Sequence, residues 1–207
     1  MRNADTAGET KQGIALAEAA VAAKDPHVVF NSGGGAERES GVPHFDSKYL
    51  VEQHLATVGL NTTIIRPVFF AENLQWMAPS VEDGTLVMRM PIPDGIPLQM
   101  IAVRDIGIIA AAALLHPDSV PQTIEIAGDE LTGSEIVSTF GAKAGLPARY
   151  EALPVSALDG QDDLPAMFRW FAETPGYQAD LDQVRRIHPT AWTLRSWLDN
   201  NPPSSVN

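Results

Sequence analysis

His44 and Lys48 stand four residues apart in "PHFDSK", a spacing that puts both side chains on one face if the segment is helical. An imidazole can give or take a proton near neutral pH, and an ammonium group can steady a developing negative charge. Asn31 and Ser32 end the apolar run "VVFNS". In an α/β sheet the carboxyl end of a parallel strand is where ligands sit. A hydroxyl, an amide, an imidazole and an ammonium together can bind a small polar group and move a proton to or from it. Two readings of His44 and Lys48 stay open at this level: a proton-transfer pair, or a turn-capping histidine beside a solvated helix lysine.

Gly33, Gly34 and Gly35 follow the same run. A dinucleotide cradle needs G-x-G-x-x-G between strand and helix, with the helix N-terminus aimed at the pyrophosphate. Here the glycines are consecutive, and a stretch containing Pro43 separates them from a helix expected to start near Asp46. They read as a flexible turn. The chain contains no G-x-G-x-x-G and no P-loop.

The elements that must position these residues follow from periodicity. Residues 9–24 read as an amphipathic helix with Ile14, Leu16, Ala17, Ala20 and Val21 as its inner stripe. Residues 28–32 and 61–68 read as short, continuously apolar strands of a buried parallel sheet. Between them lies a helix to about Val58, with Leu50, Val51, His54 and Leu55 facing inward and Gly59 as its cap. The run 89–103, with three prolines, reads as loops and edge strands. Residues 103–115 form a helix with Asp105 near its start, and 123–128 a strand. Thr132 and Glu135 carry the capping-box spacing of a helix ending near Gly145. Residues 148–154 read as a short strand, and later segments as helices followed by a frayed tail. The fold class is therefore α/β: a partial parallel sheet with flanking helices, plus a smaller, mainly helical C-terminal lobe.

Composition excludes several function classes. The formal net charge is −12 over 207 residues, which repels phosphate backbones and anionic lipid, so neither nucleic acid nor membrane is an expected partner. There is no cysteine, so no disulfide, thiolate site or thiol nucleophile. The five histidines are scattered, and no metal site is expected. The apolar run 106–115 is too short to span a bilayer, and the N-terminal residues are polar. A soluble, cytoplasmic protein is the expectation.

"HFDSKYLVE" followed by "TTIIRPVFFAEN" resembles the NmrA-like family, an atypical group of short-chain dehydrogenase/reductases. The resemblance continues through "MIAVRDIGIIAAAAL", "IEIAGDELTGSEI", "MFRWF", "GYQADLDQVRRIHP" and "SWL", in the family's order along nearly the whole chain. It implies a Rossmann-type core over residues 1–128, with an excursion to the substrate lobe near 76–100, and a small substrate lobe over 129–207. It implies NADP or NAD as cofactor, in a quinone or carbonyl reductase or a redox sensor that contacts a regulated protein. By the same resemblance Ser32 takes the strand-end serine position and Lys48 the position that holds the nicotinamide ribose. His44 stands where the usual tyrosine would be, which changes the proton donor. Asn31 and Ser32 would flank the nicotinamide, with Pro67, Val68, Phe69 and Asn73 lining the pocket. Candidate substrate walls are Phe45, Phe70, Trp76, Met90 and Trp170, each equally readable as core, and Asp162 and Asp163 read as helix-start acids.

Against the family's order, "ADTAGETKQGIALAEAA" resembles the stretch after the fourth strand. The family's G-x-x-G-x-x-G loop is therefore expected to be absent, and dinucleotide binding by this chain impaired or lost. Strand 28–32 would expose an edge, and a homodimer is the expected consequence. A cofactor-free isomerase, cyclase or lyase using His44, Lys48 and Ser32, and a regulatory protein-binding module, are the alternatives.

Overall fold

The computed structural model describes residues 5–161 and 163–201. Helix α1 (Thr6–Ala23) begins at Asp5, whose carboxylate accepts the Gly8 N–H, and ends at Lys24 in the left-handed conformation (φ 59°). It packs on α2 (Pro43–Thr57) through Ala17, Val51 and Leu55. The expected apolar stripes of both helices are only partly covered, since Leu16 and Val21 of α1 and Leu50 of α2 are exposed. Helix α2 starts three residues ahead of Asp46, because Pro43 sits in its first turn, where a fixed φ and a missing N–H cost nothing.

The parallel sheet has the order β1 (Val28–Asn31), β2 (Thr62–Pro67), β7 (Thr123–Ile126), with Phe30 opposite Ile64 and Ile65 opposite Ile124. Side chains alternate across a strand. Phe30 accordingly joins the α1–α2 cluster, whereas Val29 and Ile65 join a second cluster with Ile106 and Ile109 of α3 (Val103–Leu115). The helices therefore flank both faces. The expectation of full burial fails for β1: Val28, Val29 and Phe30 are half-buried, because among the described residues β1 pairs with β2 alone.

A second sheet joins β3 (Phe69–Phe70), β6 (Leu98–Ile101) and β8 (Asp129–Leu131). Strand β6 is central and buried at all four residues, not an edge, because the prolines of its segment all precede it. A third sheet pairs the hairpin β4 (Ser80–Glu82) and β5 (Thr85–Met90) with β9 (Ala148–Ala152). Helix α4 (Gly133–Ala144) crosses between β8 and β9 and carries the expected capping box, closed by Gly145 (φ 68°). Helices α5 (Leu164–Glu173), α6 (Leu181–Ile187) and α7 (Leu194–Asn200) follow. The expected frayed tail from 202 lies outside the described residues.

The end of the chain is tied back to the sheet layer. Asp105, fully buried at the start of α3, pairs with Arg104, bonds His188 Nε2 at 2.9 Å and accepts the Trp192 N–H at 2.8 Å. Val184 of α6 sits in the same apolar cluster as Ile65.

Candidate functional site

The carboxyl ends of β1 and β2 open into a cavity of about 310 Å³. Its floor is Asn31 at the end of β1 with Ser32 and Gly33 after it, and Pro67 at the end of β2 with Val68, Phe69 and Phe70 after it. The first turns of α2 supply His44, Phe45 and Lys48. Asn73, Met167 of α5 and Tyr177 complete the wall.

Of the polar side chains that face this space, Ser32, Lys48 and His44 are in different states. Ser32 is 5% exposed, and its Oγ has no hydrogen-bond partner among the described residues. A buried hydroxyl left without a partner is costly, and a ligand atom beside it removes that cost. The Lys48 ammonium is paired with Glu9 of α1, which also accepts a 2.6 Å bond from Ser47 Oγ. Burial pushes the Glu9 carboxyl up, but the bonds from Lys48 and Ser47 outweigh it and hold it below the usual carboxylate value. His44 Nδ1 is hydrogen-bonded to Asp163.

Asp163 stands at a helix start, as expected. It occupies the cap position of α5, but its carboxylate makes no cap bond there and reaches His44 instead. Asp162 lies outside the described residues.

Two of the three glycines are pressed against aromatic rings. A Cβ on Gly35 (φ 77°) would stand 2.6 Å from the Trp170 ring, and one on Gly34 would stand 2.8 Å from the Tyr177 ring. The loop lies flush on two aromatic rings. Arg38 anchors its far side, bonding Glu125 of β7 at 2.8 and 3.1 Å and lying 5.7 Å from the centre of the Trp170 ring. Arg66 of β2 makes two bonds to the buried Glu52 of α2, at 3.0 and 2.6 Å. No helix begins at Gly35: α2 starts only at Pro43, after Val42.

Of the candidate walls, Phe45 and Phe70 line the cavity. Met90 and Trp170 are buried in the core and Trp76 is 88% exposed, and none of these three lines it. Sequence reasoning passed over Glu9, Met167 and Tyr177. Burial, and after it the charge of Glu125, pushes the Tyr177 hydroxyl well above the ordinary tyrosine value, so it stays protonated. The only sequence signal for Tyr177 is indirect: three glycines in a row imply something large pressed against them. Among the described residues no group of His, Asp and Glu side chains could hold a metal ion. No helix there is long and apolar enough to cross a membrane.

The pattern that defines the NmrA-like family matches residues 2–197. The chain belongs to the NmrA-like family. It is 34% identical over 143 residues to the NAD(P)H azoreductase of Xenophilus azovorans, covering 67% of this chain and 48% of that enzyme. The chain thus spans about half the length of this curated relative. Its fold superposes on that of NmrA, a negative transcriptional regulator solved with NADP, with a TM-score of 0.72 at 20% identity over 91% of this chain and 68% of that one. The NADPH-dependent quinone oxidoreductase of Escherichia coli, solved with NADPH, gives 0.73 at 21% identity over 92% and 70%. At those identities the likeness is one of fold: the parallel sheet of this NmrA-like chain is of the Rossmann type.

Proposed function

We propose that this chain serves NAD(P)H-dependent reduction of an apolar substrate bearing a quinone, carbonyl or azo group. The cavity at the ends of β1 and β2 would take the nicotinamide end of the cofactor. The observation that carries this reading is the orphaned Ser32 hydroxyl, buried at a parallel strand end beside His44 and Lys48 under apolar walls.

Ser32 and Asn31 would hold the nicotinamide, and Lys48 the adjoining ribose. To do so the Lys48 ammonium must leave Glu9 or share itself between Glu9 and a ribose hydroxyl. The reduced cofactor, when bound, supplies hydride. Phe45, Phe70 and Met167 exclude water from an apolar substrate, and His44 and Ser32 face its polar group. Gly34 packs against Tyr177 and Gly35 against Trp170, which argues against their backbone serving as a pyrophosphate cradle. These 207 residues are therefore expected to bind the dinucleotide weakly.

The test is calorimetric titration with NADPH, together with oxidation of NADPH in the presence of quinone and azo acceptors. Weak heat and acceptor-dependent oxidation that disappears in Lys48→Met support the reading. No heat, with NADPH left unoxidised by every acceptor, overturns it.

A further inference from the structure

His44 is the second residue of α2, and Asp163 immediately precedes α5, 119 positions away in sequence. The contact is tertiary, between elements that share no strand. Asp163 leaves its own helix uncapped in order to make it. The His44 ring is held on a second side by Phe45, edge to face with centroids 4.6 Å apart. The side chains are 27% and 15% exposed, so the pair sits at the cavity wall and not on open surface. The described residues give Nε2 no hydrogen-bond partner.

We propose that Asp163 is a positioning residue that makes His44 a one-directional proton carrier; the proposal rests on the cavity being the reaction site. A carboxylate on Nδ1 takes the Nδ1–H and fixes that tautomer. Nε2 is then the nitrogen that gains and loses the mobile proton. When a substrate oxygen gains negative charge by accepting hydride at its carbon, Nε2–H passes its proton to that oxygen. The imidazole returns to neutral with Nδ1–H still on Asp163, and water reprotonates Nε2. The electron pair comes from the reduced nicotinamide. This division of labour replaces a tyrosine hydroxyl with an imidazole whose orientation is set from another element. The other charged groups toward His44 are Glu9 of α1, whose carboxylate the His44 charge favours, and Lys48 one turn along α2. Their pairing with each other leaves Asp163 as the carboxylate that bonds the ring.

The primary readout needs no turnover. Long-range 1H–15N spectra of the labelled 207-residue chain, with His44 assigned by its loss in His44→Gln, report which ring nitrogen is protonated in the neutral form. The expected result is the Nδ1–H tautomer in the native chain, replaced by Nε2–H in Asp163→Ala. An Nε2–H tautomer in the native chain, or one indifferent to Asp163, overturns the proposal. The kinetic arm uses NADPH with a quinone acceptor. Asp163→Asn should lower kcat by roughly ten- to a hundredfold at similar KM. Asp163→Glu should restore part of the loss. A lower melting temperature and higher KM with kcat unchanged would mark Asp163 as merely structural and overturn the assignment. A chain that never oxidises NADPH yet shows the Asp163-dependent tautomer overturns the reductase reading and upholds the orientation of His44 by Asp163.

Discussion

Replacing Gly35 with alanine separates the two meanings of the glycine triplet. The new methyl group would stand 2.6 Å from two atoms of the Trp170 ring, at a backbone φ of 77°. Left-handed backbone costs an L-residue about 1–2 kcal/mol, and forcing a carbon into a filled site costs about 1–3 kcal/mol more. The sum is roughly 2–5 kcal/mol, which in a chain of this size lowers the melting temperature by roughly 4–20 °C. Gly33 is the internal control. Its added Cβ would meet Lys48 Cδ at 3.5 Å and Phe45 at 3.8 Å, which is ordinary contact, and its φ is not in the left-handed region. Gly33→Ala should stay within about 1 kcal/mol of the native chain. The assay is thermal and urea unfolding of both variants beside NADPH titration. Equal stability of the two variants would refute the packing argument. Unchanged stability in Gly35→Ala with NADPH affinity abolished would restore the phosphate-cradle reading.

Other outcomes follow from single contacts. Asp105→Ala leaves His188 and the Trp192 N–H without their buried acceptor and should cost roughly 3–5 kcal/mol in urea unfolding; a loss below about 1 kcal/mol would refute the role of Asp105 as the tie between α3 and residues 188–192. Glu9 has a depressed folded-state value, so the stability it contributes is complete above its unfolded value of about 4.3 and disappears as pH falls through the lower folded one. Lys48→Met should therefore flatten the acid side of the melting-temperature profile, and an identical profile would sink this. Strand β1 directs the N–H groups of Val28 and Ser32 toward β2, so by the period of two those of Val29 and Asn31 point outward. Self-association through that edge should give a dimer mass by light scattering that Val29→Pro abolishes. A native chain with the mass of one copy refutes it.

Much of the fold was legible because its signals are local. The apolar runs at 28–31 and 62–67, the Thr132–Glu135 capping box, and the glycine at 145 each act within a few residues. Their meaning does not depend on what lies across the molecule. The four-residue spacing of His44 and Lys48 likewise survives folding, because α2 carries both into the cavity wall. What failed depended on neighbours. The partial burial of β1 and the central place of β6 are properties of strand order, which periodicity does not encode. Met90, Trp76 and Trp170 look alike as large apolar residues, yet one is in the core, one is in water, and one is pressed under a glycine loop.

The sequence by itself determined the helices and the strands of the parallel sheet, which strand end carries a serine, and which helix carries an imidazole and an ammonium together. Those follow from spacing, caps and turn residues acting over one or two turns of chain. Only the tertiary structure decided that Glu9 holds Lys48, that Asp163 holds His44, and that the glycines make room for aromatic rings. Each of those joins residues far apart in the chain, and electrostatic pairing and close packing depend on distance in space, which no pattern along the chain records.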